Sequence, residues 1–431
     1  MPWTRSWDAW GVRPTELLNG EGVAGMMMTR ARLGDVEPLN TNAEQMNRSR
    51  AALPAPARDI LILTASTGGG HDSVAMALQE AIHDLAPEVS VRVLDPLSGG
   101  INKGLLSPGR WYDATAAHAP WAWGLFYRAT NHAWAVRFGM AVGALLWARR
   151  LRSAIHIERP PIVVSVHPLC THLAADVLRT VPDAPPLHCV VTDLVTIHRC
   201  WACEDVDVFY VATSDACDAL ITMGVPRERI HVTGLPLRAS FAHAPHPPAR
   251  DTTLRVLVLG GGRPSRRLEQ VTRALVASRL PLRVVVVCGR NTRLRRRLTR
   301  AVGAHATVRG WCDDATSAAL MRWSSVVLTK AGPTTLAEAL SQARPVMIYQ
   351  ALPGQEDGNA TLIERTGAGC YIPDVDALPR AIAAHSGVQS TGATTQAAWW
   401  GSAARRVAAR LVPAPAAPHA ALSASRSTAR R

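Results

Sequence analysis

This 431-residue sequence predicts an α/β fold of two doubly wound halves, each built on a parallel sheet. Three observations carry that prediction. Short, mostly apolar runs of parallel-strand type recur along the chain, including DILIL, IVVSV, LRVLVL and LRVVVV. Stretches of helical length alternate with them, as doubly wound sheets require. A Pro- and Ala-rich seam, ASFAHAPHPPARDT at 239–252, divides the two sets.

The elements follow in order. Ile60–Thr64 reads as a buried strand, Ser66–His71 as a Gly-rich turn and Ser73–Leu85 as a helix; SVRVLDP, PPIVVSVHP and LHCVVTDL supply further strands. In the second half VVLTKAGPTTLAEAL and PVMIYQALPGQEDGNATLIERTGAG are strand–loop–helix units. Residues 1–57 lack a sustained period and the tail 413–431 is Ala/Pro/Ser-rich and basic, so both are expected to be disordered. The expected domains are therefore 58–238 and 254–412, joined by a linker at 239–253.

The bulk numbers agree. The chain is long enough for two cores, and 48% hydrophobic residues can fill both. The 47 Lys and Arg against 33 Asp and Glu leave +14, which favours anionic partners without choosing among them. MPWTRSWDAW lacks the apolar core of a secretory signal, and Met26–Met28 offers an alternative start. The longest apolar run, near 139–148, falls well short of the about 20 residues a spanning helix needs. Eight scattered cysteines suit free thiols in a reducing compartment.

Four segments can carry chemistry. STGGGH places His71 at the C-terminal edge of a sheet, where a His can be a general base or merely a helix-terminal residue bonded to backbone; spacing weighs the two equally. TKAGPTTLAEAL offers a helix N-terminus, capped by Thr334 or Thr335, to a diphosphate. Glu338, one turn inside, can accept from ribose hydroxyls or sit on a solvated face. Gln355, Glu356 and Asn359 in PGQEDGNA suit sugar hydroxyls, though a polar capped loop is the favoured plain reading. The aromatic stretch Trp111–Trp147 carries seven Lys/Arg against one acid over 101–152. It reads first as core, then as a membrane-docking surface or a stacking platform for single-stranded nucleic acid. The remaining strings have plain readings: Cys200/Cys203 as buried thiols, Asp205/Asp207 and Asp374/Asp376 as chance D-x-D pairs, and GRNTRLRRRLTR as a solvated helix face.

Taken in order, TASTGGGH, SVHP, VVTDL, VTGLPLRASF, LVLGGG, VCGRN, VRGW, TKAGPTTLAEAL and PGQEDGNATLIERTGAG resemble the monogalactosyldiacylglycerol synthase and processive diacylglycerol glucosyltransferase family over roughly 59–385. The resemblance implies a GT-B fold, with two facing Rossmann-like domains. The second half would bind a UDP-sugar, which is a substrate, so no cofactor and no metal are expected. The first half would take diacylglycerol or a related lipid and meet an anionic membrane surface, on the inner face of the cell membrane. By this likeness His71 is the catalytic base, while Gly69, Gly70, His167 and Asp193 line the acceptor side of the cleft. Gly261, Gly262, Gly332, Thr334, Thr335, Glu338, Gln355, Glu356 and Asn359 bind the donor. Trp111, Trp121, Trp123, Trp134, Arg137 and Trp147 dock the membrane, which lifts that reading above the core one. Two departures stand out: Thr334 replaces the usual Gly, and His198 with Trp201 approximates a His–Trp pair.

The expected reaction is inverting hexosyl transfer, from UDP-galactose or UDP-glucose to diacylglycerol. The rival enzyme is a lipid-linked N-acetylglucosaminyltransferase of cell-wall synthesis. A nucleic-acid binder, suggested by charge alone, and a non-catalytic nucleotide sensor are weaker, since Gly-rich turns occur in both halves and His71 and Glu338 are both present.

Overall fold

The computed structural model describes residues 60–66, 69–98, 119–242, 253–261, 266–384 and 393–412. The N-terminal extension, most of the linker, the basic tail, Trp111 and Gly262 lie outside the described residues.

The first half runs β1 (Ile60–Leu63), α1 (Gly70–Leu85), β2 (Val91–Leu94), α2 (Pro120–Thr130), α3 (Ala133–Glu158), β3 (Val163–Ser165), α4 (Pro168–Leu178), β4 (Leu187–Val190), β5 (Val208–Val211), α5 (Ser214–Thr222) and β6 (Ile230–Val232). Its strands lie in the order β2-β1-β3-β4-β5-β6, and every pairing is parallel. The second half runs β7 (Leu254–Leu259), α6 (Arg266–Ala277), β8 (Leu282–Val287), α7 (Thr292–Val302), β9 (Ala306–Arg309), α8 (Asp314–Trp323), β10 (Val326–Lys330), α9 (Pro333–Ser341), β11 (Val346–Gln350), α10 (Asp357–Arg365), β12 (Gly369–Tyr371) and α11 (Leu378–Ala384). Its order is β12-β11-β10-β7-β8-β9, again all parallel. Each sheet therefore reverses its winding once, at β1/β3 and at β7/β10, and ligands of open α/β sheets bind outside such points.

Local chemistry accounts for the elements beside the cleft. β1 is ILIL, buried throughout, as a strand covered on both faces must be. α1 begins at Gly70, three residues before the expected start. Gly69 adopts φ 87, a left-handed turn that glycine takes without steric cost, and this brings His71 into the first turn. α9 opens on Pro333, whose missing N–H is one the first turn would leave unpaired anyway. α7 buries Leu294, Leu298 and Val302 along one stripe and turns its arginines outward, as a solvated face.

Two boundaries differ from expectation. Residues 239–242 are packed rather than loose: Phe241 is buried, and its carbonyl accepts from Gln342 Nε2 at 3.0 Å. The chain end also returns. α12 (Ala393–Gly401) packs on α9, but α13 (Ala403–Leu411) packs on α1 of the first half. Its apolar stripe, Ala404, Val407, Ala408 and Leu411, faces that helix, so 254–412 is not one packing unit. One apolar cluster accordingly runs through both halves, joining Ile62 and Leu78 to Leu336 and Val407. Two further clusters fill the far face of each sheet.

Ion pairs cross between the halves. Arg238 bridges Glu80 on α1 (2.6 Å) and Asp314 on α8 (3.1 Å). Arg365 on α10 holds both oxygens of Asp215 on α5, at 3.0 and 2.6 Å. Such bidentate pairs add geometric specificity to their charge.

Candidate active site

The C-terminal edges of the two sheets enclose a cleft of about 340 Å³. From the first half it takes Gly69, Gly70, His71, Thr192 and Asp193. The second half contributes, among others, Gly261, Lys330, Gly332, Thr334, Thr335, Glu338, Gln355 and Glu356.

Two helix N-termini meet here. A Cβ added to Gly70 would lie 3.0 Å from Thr334 Oγ1, so the absence of a side chain at Gly70 lets α1 approach α9. The first amides of an α-helix have no partner within the helix, and they carry the positive end of its dipole. Lys330, at the end of β10, adds a full positive charge to the wall. A Cβ on Gly261 would come within 2.8 Å of Lys330 Cε, at a backbone φ of 70. That glycine therefore gives the lysine both room and a turn.

His71 is oriented by backbone. Its Nδ1 lies 2.7 Å from the Val166 carbonyl, which only accepts, so Nδ1 carries the proton and Nε2 keeps its lone pair. The Thr192 hydroxyl sits 3.1 Å from the same Nδ1. Burial lowers the His71 pKa; the Val166 hydrogen bond and the Asp72 charge push back. The ring is thus neutral at neutral pH. Asp72 in turn accepts from Thr64 Oγ1 and Ser66 Oγ, both at 2.9 Å, and so fastens the Gly-rich turn to β1.

The carboxylates have distinct settings. Asp193 accepts from Trp201 Nε1 at 2.7 Å. Burial raises it to about 6 and the Glu356 charge adds to this, against hydrogen bonds from Trp201 and Gln355. Gln355 thereby ties the second half to the first. Glu356 is buried, pairs with Lys330 Nζ at 3.2 Å and accepts from the Leu352 amide at 3.0 Å. Glu338 is pushed up to about 8, by burial first and then by the charge of Asp314.

Most of the described residues expected in the cleft therefore line it, and two lie elsewhere. His167 is buried behind His71, with ring centroids 4.5 Å apart, and burial holds it well below its ordinary pKa. Asn359 is buried beneath the α9 turn, where its Nδ2 donates to the Ala331 carbonyl at 2.9 Å; it shapes that turn instead of facing the cleft. Trp147, expected at the membrane face, is half-buried, packs on the first-half core and covers Gly143. Trp121, Trp134 and Arg137 are exposed and Trp123 is half-buried.

Sequence reasoning passed over Lys330, Trp311, Asp314 and the hydrogen bond from Trp201. Lys330 stood inside the quoted TKAGPTT, and a cation at a strand end beside a helix N-terminus was the available signal. Trp311 lies at the cleft mouth with the Arg290 guanidinium 4.5 Å over its ring. The plain readings hold for the other strings. Cys200 and Cys203 are buried free thiols, and burial pushes them up to about 12 and 11. Asp205 pairs with Arg179, and Asp207 accepts from the Leu187 amide at 2.8 Å. Among the described residues no group of three or more His, Cys, Asp or Glu is placed to hold a metal.

Two doubly wound sheets that face a cleft of helix N-termini, with the last helix returning to the first half, define a GT-B protein. The fold alone is shared with a solved kitacinnamycin glycotransferase, at TM-score 0.55 and 13% identity over 83% of this chain and 99% of that one. Residues 71–237 match the model for monogalactosyldiacylglycerol (MGDG) synthase, and 255–386 that for the glycosyltransferase family 28 C-terminal domain. A probable monogalactosyldiacylglycerol synthase 2 of Oryza sativa subsp. japonica is 31% identical over 76% of this chain and 74% of its own length. A processive diacylglycerol beta-glucosyltransferase of Bacillus mycoides is 29% identical over 73% and 82%. The chain belongs to the monogalactosyldiacylglycerol synthase family.

Glu338 supports a direct test. If it holds the donor ribose as expected, replacement by Ala raises the donor KM about tenfold, the worth of one or two hydrogen bonds. Glu338→Gln, which mimics the protonated acid, should stay near the parent at pH 7. Because the folded-state pKa is raised, the stability tied to this group is complete below the ordinary carboxylate value and declines as pH rises towards 8. Urea midpoints at pH 5 and 8.5 should show that decline in the parent and lose it in Glu338→Gln.

Proposed function

We propose that this protein transfers a hexose, galactose or glucose, from a UDP-sugar to diacylglycerol at a membrane surface, with inversion at the anomeric carbon. The observation that carries this reading is the placement of a neutral His71, its Nε2 lone pair available, across the cleft from the amides of α9 and Lys330. His71 Nε2 takes the proton of the acceptor hydroxyl as that oxygen attacks the anomeric carbon. The bond to the UDP oxygen breaks on the opposite side. Charge growing on the diphosphate meets the N-terminal amides of Thr334 and Thr335 and the Lys330 ammonium, the kind of fixed positive field that stabilises a leaving anion. Glu338 holds the ribose, and Gln355 with Glu356 orients the sugar. Positive charge supplied in this way leaves the reaction independent of added metal.

The acceptor side suits a lipid. Trp121, Leu125, Trp134 and Phe138 on α2 and α3 are about two-thirds to three-quarters exposed, at 72, 66, 69 and 71%. Arg128, His132 and Arg137 are exposed among them. Apolar anchors beside cations fit an anionic bilayer rather than nucleic acid. Among the described residues no helix is long and apolar enough to cross a membrane. The contact proposed is peripheral, at the inner face of the cell membrane. Changing these four anchors to Ser should reduce binding to anionic vesicles by more than about 100-fold, given roughly 1.5–3 kcal/mol for each fully buried large apolar side chain. UDP binding without vesicles should persist.

The deciding assay incubates the protein with diacylglycerol in anionic vesicles, a panel of UDP-sugars and a chelator, and follows UDP release and lipid mass. Glycolipid from UDP-galactose or UDP-glucose is the expected result. No product from any donor, despite vesicle binding, would overturn the reading.

A further inference from the structure

The helix that carries part of the proposed membrane face also touches the donor loop. α2 has two faces. Trp121, Leu125 and Phe126 are exposed on one, and Gly124 and Tyr127 are buried on the other. The buried face meets Pro353 and Gly354 of the second half. A Cβ added to Gly124 would lie 2.9 Å from Pro353 Cβ and 3.2 Å from the Pro353 carbonyl oxygen. Gly354 has φ 82, and its Cβ position lies 3.2 Å from the Tyr127 ring. Both glycines are thus required by close approach, one on each side of the contact.

Tyr127 is itself fixed. Its hydroxyl donates to the Thr196 carbonyl at 3.2 Å, and its ring meets His198 edge-on with centroids 4.7 Å apart. The Thr196 hydroxyl accepts from the Gly358 amide at 3.3 Å, where a Cβ would come within 2.6 Å. Residues 353–358 are therefore gripped at both ends by the first half. Between the grips stand Gln355, bonded to Asp193, and Glu356, paired with Lys330. A shift of α2 moves the loop that presents both side chains to the donor.

We propose that Gly124 and Tyr127 are positioning residues that couple membrane contact on the outer face of α2 to donor binding at Gln355 and Glu356. A bilayer that holds the outer face favours the arrangement in which the inner face seats the loop, so donor affinity rises on the membrane. Coupling of this kind is reciprocal: UDP tightens vesicle binding by the same factor that vesicles tighten UDP binding. The proposal rests on the docking reading above, and the test separates the two.

UDP affinity of the full chain would be measured calorimetrically, without vesicles and with saturating phosphatidylglycerol vesicles lacking diacylglycerol. For the parent we expect at least about fivefold tighter UDP binding on vesicles, the lower end of ordinary coupling between sites. Gly124→Ala adds only the crowded carbon and leaves the outer face intact. It should bind vesicles as the parent does, bind UDP several-fold more weakly and lose the enhancement. Tyr127→Phe keeps the ring against Gly354 and should stay near the parent, whereas Tyr127→Ala should behave as Gly124→Ala. A merely structural role would lower the melting temperature without separating vesicle binding from UDP binding in this way. Parent protein that binds vesicles but shows one UDP affinity in both conditions would overturn the coupling alone. Parent-like UDP binding and enhancement in Gly124→Ala would overturn the positioning role. Absence of vesicle binding by the parent would overturn the docking reading and the coupling with it, while a weakened Gly124→Ala in solution would still support positioning.

Discussion

His71→Ala is expected to lower kcat by about 10²–10⁴-fold, the usual worth of a positioned general base, while UDP affinity stays unchanged. The separation follows from where the residue sits. His71 belongs to the first half, and the α9 amides and Lys330 belong to the second. Removing the imidazole takes away the proposed proton acceptor and none of the positive charge proposed to hold UDP. The Val166 carbonyl loses its partner, a cost of about 1–3 kcal/mol if no water replaces it, so a modest fall in melting temperature should accompany the loss of rate. Calorimetric UDP titration beside a UDP-release assay decides the matter. Parallel loss of binding and turnover would make His71 a structural residue.

The pH profile offers an independent check. His71 is depressed below an ordinary imidazole by burial, and Asp193 titrates near 6. As pH falls, protonation of His71 removes the base and protonation of Asp193 weakens its hold on Trp201 and Gln355. The acid limb of kcat/KM should therefore lie below where an exposed histidine would place it. A midpoint above the ordinary imidazole value would contradict the orientation assigned to His71.

Much of this was legible in the sequence because parallel strands buried on both faces leave unbroken apolar runs. ILIL, VLVL at 256–259 and VVVV at 284–287 are such runs, and the polar or glycine residues that soon follow them mark the cleft edge. What escaped was whatever depends on partners far along the chain. Asn359 sits among cleft residues in sequence, yet it turns inward because the Ala331 carbonyl of a neighbouring turn needs a donor. Trp147 reads like the other tryptophans, and only the packing of the 26-residue α3 shows that its own side faces the core. The return of α13 to α1 has no local signature either, since an amphipathic helix does not say which half will cover it. Lys330 was hidden differently: a lysine ending a strand looks solvated until Glu356 is seen buried beside it.

Lys330→Ala should produce the other large effect, on folding and on donor binding together. Glu356 is 3% exposed, and Lys330 Nζ at 3.2 Å is its cationic partner. The Lys330 side chain is 32% exposed against 4% for that of Glu356, so the pair is only half-buried, and its loss costs at most the roughly 3–5 kcal/mol typical of a fully buried pair. The Leu352 amide still donates to the other carboxylate oxygen and limits the damage, so the lower part of that range is expected. Donor affinity should fall as well, because the ammonium is the full positive charge on the wall beside the α9 amides. The two consequences can be parted by adding Glu356→Gln to Lys330→Ala. A neutral amide no longer needs the lysine, so the double variant should recover most of the urea midpoint. It should not recover UDP affinity, since no cation has been restored. Recovery of both would mean that Lys330 serves only to neutralise Glu356. Recovery of stability alone would assign the lysine to the diphosphate and make Glu356 the residue that keeps its side chain in place before the donor arrives.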